Sequence, residues 1–234
     1  MPDASPSPLT QRAGKHPASI ALFLSLAIVI LLADLVFKYW AFNHVAGEAL
    51  VLSRDPGDGS TLVQVRNSAG QLETLPRSRE HEPASAIPPH DGITVVPSVL
   101  ALKLTINTGA VFGIGKGAQW FFAVVSVIAS VVIGVVFFRS AATARLLHIC
   151  LAMILGGAIG NLYDRLMYNG VRDMCHLFPG IKLPFGWTWR GGADEIYPWI
   201  FNIADAALVV GVFILLILSW RADRPQPKDQ SRPG

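Results

Sequence analysis

The sequence predicts an all-α integral membrane protein with four transmembrane helices and a small extracytoplasmic β-sheet lying on the membrane surface. Three observations lead there. Of 234 residues, 52% are hydrophobic and only 15% charged, with a mean hydropathy of +0.45, too apolar for an ordinary soluble domain. Four apolar runs, residues 18–40, 118–138, 146–163 and 198–220, approach the roughly 20 residues a helix needs to cross a hydrocarbon core of about 30 Å. Between the first two runs, TLVQV and LETL flank the turn-forming RNSAGQ in a hairpin-like pattern.

Residues 1–17 open MPDASPSPLTQ and lack the apolar content for a packed core, so a disordered cytoplasmic tail is expected there, and likewise over residues 221–234. Arg12 and Lys15 ahead of the first run resemble the start of a secretory leader. The run is longer than a leader's apolar region and lacks a small-residue cleavage site, so a retained anchor is expected. Arg139 and Arg145 bracket the link between spans two and three, and Arg221, Arg224, Lys228 and Arg232 follow span four. Positive charge beside spans marks cytoplasmic segments, which places both termini inside and leaves residues 41–117 and 164–197 outside. Trp40, Trp120, Trp199 and Trp220 stand where an aromatic belt forms. In the first outer segment ITVVPSVLALKLTIN also favours strand, with Pro97 demanding an edge position or a break, and RSREHEPASAIPPHDG is a polar connector.

The basic residues behind the net charge of +3 are dispersed, with no Lys/Arg tract and no aromatic RNA-type motif, so nucleic acid is not an expected partner. The two cysteines, Cys150 in span three and Cys175 in the following loop, have neither CxxC nor Cys/His spacing. No disulfide framework, metal site or cofactor is expected. GxSxG and a persuasive Ser/Lys or Cys/His constellation are also missing; His148 reads as mid-span and His176 as loosely placed.

Ionisable groups at membrane depth cost about 2.5–3.5 kcal/mol at a helix centre, so each is a functional candidate. Asp34 and Lys38 share one face of span one; Asn161, Asp164 and Arg165 close span three; Asn202 and Asp205 open span four. All meet the membrane near its outer side and are expected to line one cavity. The structural alternative is local pairing or capping at helix ends. Asp173 in VRDMCHLF adds a carboxylate returning toward the membrane. Two carboxylates held together share a proton and supply a general base and a general acid at once, which suits water attack on an amide. Gly156, Gly157 and Gly160 allow another helix close, and Asn107 with Gly109 precedes span two where irregular backbone faces a cavity or water. A rival reading is a proton-coupled carrier or channel using Asp34, Lys38, Asp164 and Asp205 as a relay.

Five ordered blocks, ADLVFK, NTGAVFG, GNLYDR, VRD and FNIAD, spread over residues 18–220, resemble the lipoprotein (type II) signal peptidases of bacteria. The resemblance implies a four-helix aspartyl endopeptidase of the cytoplasmic membrane with Asp173 and Asp205 as the catalytic pair. Asn161, Asp164 and Arg165 would organise the site, and Asn107, Gly109 and Asn202 would bind the substrate or the pair. Asp34 and Lys38 would support the fold or its lipid-facing edge. The implied substrate is a prolipoprotein bearing a diacylglyceryl cysteine, cut just before that cysteine near the outer face by a monomer in contact with membrane lipid. The first outer segment and the interval from Asp173 to Asp205, with KLPFGWTWRGGADEIYP, are longer than the family pattern. Arg172 beside Asp173 is expected to favour the ionised carboxylate and so give Asp173 the base role.

Overall fold

In the computed structural model, residues 11–57, 59–66, 69–75, 87–109, 119–189 and 191–222 are described. The four runs fold as helices α1 (Pro17–His44), α2 (Gln119–Arg139), α3 (Arg145–Tyr168) and α4 (Ile203–Ala222), each long and apolar enough to cross a membrane. The helices α1 and α3 outrun their expected ends at residues 40 and 163. The helix α4 starts later than residue 198, because the residues ahead of it are drawn into a strand.

Half of the most apolar window of α3 is buried, against 17% for each of the others, so α3 is the central helix and packs on all three. Its glycines permit this. A Cβ on Gly156 would lie 2.7 Å from the Ala27 carbonyl oxygen of α1, and one on Gly157 would lie 2.5 Å from that of Ala204 in α4. With no hydrophobic drive between helices in lipid, such close backbone approach is what holds them.

At one end of the bundle, residues 11–16, assigned from sequence to a tail, pair with the α2–α3 link. The Ala13 N–H donates to Ser140 O (2.9 Å), the Ala142 N–H to Gln11 O (2.9 Å), and Ser19 Oγ to Ala142 O (3.0 Å). Residues 1–10 and 223–234, with Arg224, Lys228 and Arg232, lie outside the described residues. His148, expected mid-span, sits in the first turn of α3 at this same end, with Nε2 2.9 Å from Ser140 Oγ.

Among the described residues every strand lies at the opposite end, so all-α is too coarse a class for the chain. The first antiparallel sheet has the order β1 (Leu50–Arg54), β2 (Thr61–Arg66), β3 (Leu72–Thr74). Its β2–β3 pair is the expected hairpin; β1 was not foreseen. The second runs β4 (Ile93–Val96), β5 (Leu100–Asn107), β6 (Val171–Leu177), β7 (Ile200–Phe201), all antiparallel. Pro97 falls in the β4–β5 turn, where Ser98 takes a φ of 58°, so the break is the alternative that holds. Residues 77–86 of the connector lie outside the described residues. The sheets and the end of α1 enclose an apolar core of Phe42, Val63, Leu102, Leu104, Ile106 and Met174. By burying apolar residues there, β1, β2, β5 and β6 pack the sheets against the helix ends.

Candidate active site

Two chain reversals bring the polar residues together. The helix α3 ends on Asn169, in the left-handed region at φ 55°, with its N–H on Arg165 O (3.1 Å). The chain therefore turns back at once into β6. Asp164, one turn earlier, catches the returning strand: its Oδ2 accepts the Arg172 N–H (3.0 Å) and its Oδ1 the Arg172 guanidinium (Nη2 2.8 Å, Nε 3.2 Å). The guanidinium lies over the Tyr168 ring, 4.6 Å from its centroid. Successive strand residues point to opposite faces, so Arg172 facing α3 sends Asp173 the other way.

The second reversal starts α4. The β6–β7 register, Cys175 opposite Phe201, ends beside Asn202, which caps the helix. Asn202 Oδ1 accepts the Asp205 N–H (2.9 Å) while Asp205 Oδ2 accepts the Asn202 N–H (3.3 Å), a reciprocal capping box three residues apart. Asp34 Oδ1 accepts the Ala204 N–H (2.9 Å), so α1 satisfies another donor of the same helix end.

Between these elements lies a buried polar network in which Asp34, Lys38, Asp164, Asp173 and Asn202 are at most 1% exposed. Lys38 Nζ stands 2.6 Å from Asp34 Oδ2, 3.1 Å from Asp164 Oδ2 and 3.2 Å from Asn161 Oδ1. Asp34 and Lys38 thus lie in the interior, not at a lipid-facing edge. Gly160 makes room for them, since a Cβ there would lie 2.6 Å from Asp34 Oδ2. Ion pairing offsets the several kcal/mol that desolvating each charge costs, to order of magnitude.

The two candidate carboxylates hang from the amides of this network. Asn202 Nδ2 donates to Asp173 Oδ1 (2.6 Å), to Asn161 Oδ1 (3.1 Å) and to Arg172 O (3.3 Å). Asn161 Nδ2 donates to Asp205 Oδ1 (2.8 Å). Burial first, and the Asp205 charge next, push the Asp173 carboxyl well above the usual carboxylate range, while Lys38 and the Asn202 and Asn107 side chains act against them. The Arg172 guanidinium is directed at Asp164, so the ionising effect expected of it on Asp173 does not prevail: burial and the Asp205 charge raise that carboxyl.

Asp205 is partly exposed at the polar end of a cleft of about 290 Å³ between α2, α3 and α4. Asn107, Asn161 and Arg165 share that end, and Phe122, Val125 and Leu208 are among the apolar walls. Asn107 Oδ1 accepts the Gly109 N–H (2.9 Å), and Arg165 donates to Gly109 O (3.2 Å) and to Asn161 O (3.3 Å). Every site residue expected from sequence therefore lies in one connected region; the remainder of the NTGAVFG block, residues 110–113, lies outside the described residues. Sequence reasoning missed the Arg172 clamp, whose only signal was a cation two residues from a glycine turn, and the apolar cleft wall, which reads as ordinary span. Cys175, taken for a loop residue, is central in β6 between Leu102 and Phe201.

Comparison with known proteins accords with this arrangement. A lipoprotein signal peptidase of Desulfitobacterium hafniense (strain DSM 10664 / DCB-2) is 34% identical over 142 residues, 60% of this chain and 82% of that one. One of Bacillus velezensis (strain DSM 23117 / BGSC 10A6 / LMG 26770 / FZB42) is 39% identical over 140 residues, 59% and 80% of the two. A bacterial membrane enzyme solved by the in meso method at 2.3 Å resolution shares the fold, with a TM-score of 0.59, 19% identity and coverage of 91% of this chain and 96% of that one. The family model for signal peptidase (SPase) II matches residues 26–221, a stretch that contains every side chain of the buried network and both candidate carboxylates, and the chain belongs to that family.

Proposed function

We propose that Asp173 and Asp205 are the catalytic pair of this membrane aspartyl endopeptidase, which removes signal peptides from prolipoproteins. The observation that carries the reading is Asn202: its side chain holds Asp173 at 2.6 Å and its main-chain N–H holds Asp205 at 3.3 Å, at the polar end of an apolar cleft. Between them the carboxyls carry one proton, and burial favours its residence on Asp173. Asp205, facing the cleft, takes a proton from water as that water attacks the scissile carbonyl carbon. Asp173 gives its hydrogen bond to the developing oxyanion, and the departing amine then recovers a proton from Asp205.

The substrate is a prolipoprotein whose signal peptide lies in the cleft and whose diacylglyceryl cysteine directly follows the cut. Phe122, Val125 and Leu208 suit an apolar segment at membrane depth, and Arg165 and Asn107 suit its peptide groups. Arg12, Lys15, Arg139 and Arg145 gather at the bundle end away from the carboxylates, which supports cytoplasmic termini and a site near the outer face of the cytoplasmic membrane. The enzyme acts as a monomer among lipids. A proton-coupled carrier finds no support: among the described residues the network occupies one end of the bundle and His148 the other.

The test is cleavage of a diacylglyceryl-modified prolipoprotein by purified protein in detergent, alongside Asp173→Asn and Asp205→Asn variants whose melting is followed. Loss of about four orders of magnitude in both folded variants is expected. Activity retained within tenfold in either one overturns the assignment of the pair.

A further inference from the structure

Arg172 touches the site through all three of its groups. Its N–H and guanidinium both bind Asp164, and its carbonyl oxygen accepts Asn202 Nδ2 at 3.3 Å, the amide that also holds Asp173. Traced onward, the bonds close on themselves: Arg172 to Asp164, Asp164 to Lys38, Lys38 to Asn161, Asn161 to Asn202, and Asn202 back to the Arg172 carbonyl. Asp173 is attached to this ring at Asn202 and Asp205 at Asn161.

The charges also balance. Asp34 and Asp164 face Lys38 and Arg172, two anions against two cations, all at most 7% exposed. Without Arg172, Lys38 alone would serve both anions, Asp164 Oδ1 would lose its partners, and β6 would be held to α3 by one backbone hydrogen bond. A guanidinium suits this place better than an ammonium because its planar fork makes two directed bonds while its face lies on Tyr168.

We propose that Arg172 is a positioning residue of the reaction: by clamping Asp164 beside its own strand it fixes the backbone that aims Asp173 and orients the Asn202 amide shared with the catalytic pair. It does not touch substrate. This inference rests on the pair assigned above, and its variants act through geometry, keeping the cleft lining and the side chains of Asp173 and Asp205.

The measurement is kcat and KM for cleavage of a diacylglyceryl prolipoprotein by purified full-length protein carrying Arg172→Lys, Arg172→Gln, Asp164→Asn or Arg172→Gln with Asp164→Asn. Melting temperatures are taken alongside. Displacing a catalytic group by an ångström costs about a hundredfold. Arg172→Lys keeps the charge and loses the fork, so kcat falls about tenfold with KM changed less than about twofold. Arg172→Gln falls further, about a hundredfold, and the double variant is no worse than the poorer single one, because both changes break the same clamp. A folded Arg172→Lys enzyme with natural kcat overturns the proposal, as does a double variant whose loss is the product of the single losses. If Arg172→Gln does not fold, Arg172→Lys alone decides. Failure of the catalytic pair itself is distinguishable, since Asp173→Asn would then remain active whatever the Arg172 variants do.

Discussion

Lys38→Met is the perturbation whose consequence the structure fixes most tightly. The ammonium is fully buried and binds Asp34, Asp164 and Asn161 at 2.6, 3.1 and 3.2 Å. Methionine fills similar volume, so the loss is electrostatic. Asp164 keeps Arg172, but Asp34 is left with the Ala204 N–H as its hydrogen-bond donor. Breaking a buried pair from one side costs about 3–5 kcal/mol, an amount capped by the ability of Asp34 to take up a proton. For a chain of this size each kcal/mol shifts Tm by about 2–4 °C, so Tm falls by about 6–20 °C. Asn161 loses a donor that sets its amide orientation, and cleavage falls with it. Adding Asp34→Asn removes the stranded charge while its Oδ1 still accepts the Ala204 N–H, so the double variant regains at least about half of the lost Tm. Thermal melting by tryptophan emission in detergent reads both. A Tm within about 3 °C of the natural protein, or a double variant less stable than Lys38→Met, refutes the electrostatic argument.

Two predictions follow from charges around β6. The folded-state Asp173 carboxyl holds its proton above the range where the unfolded chain releases it, about 3.9. Below that range both states are protonated; as pH rises the unfolded state deprotonates first and the native fold loses stability relative to it. Asp173→Asn removes this penalty, so its Tm relative to the natural protein climbs as pH rises above about 4. A pH-independent difference counts against a raised carboxyl. The Cys175 thiol is pushed up to about 11 by burial and then by the Asp173, Asp205 and Asp34 charges. At pH 8 its thiolate is about 0.1%, against about a quarter for an ordinary thiol, so iodoacetamide labels it roughly two hundredfold more slowly. Asp205→Asn speeds that labelling; mass-spectrometric rates unchanged by the substitution would rule out the charge contribution.

The spans were legible because lipid demands runs of apolar residues whatever the neighbours are, and the candidate residues because charge at membrane depth is too costly to be casual. The β2–β3 hairpin was legible from local alternation. By contrast β1 carries little local signal, and β6 and β7 are strands because their edges meet β5 and each other across long separations in sequence. The short β7 displaces the start of α4 to Ile203 and makes Asn202 its cap, which span hydropathy does not register.

The sequence by itself determined four membrane helices and the family, and singled out the candidate carboxylates, because burial cost and ordered motifs are properties of residues in line. The tertiary structure decided what each charge does. Arg172 stands next to Asp173 in the chain yet serves Asp164, because adjacent strand residues face opposite ways. Lys38 serves Asp34, its neighbour by helical spacing, and equally Asp164, far along the chain. Which charges neutralise one another is set by distances across packed helices and paired strands, and those distances exist only after the chain has closed on itself.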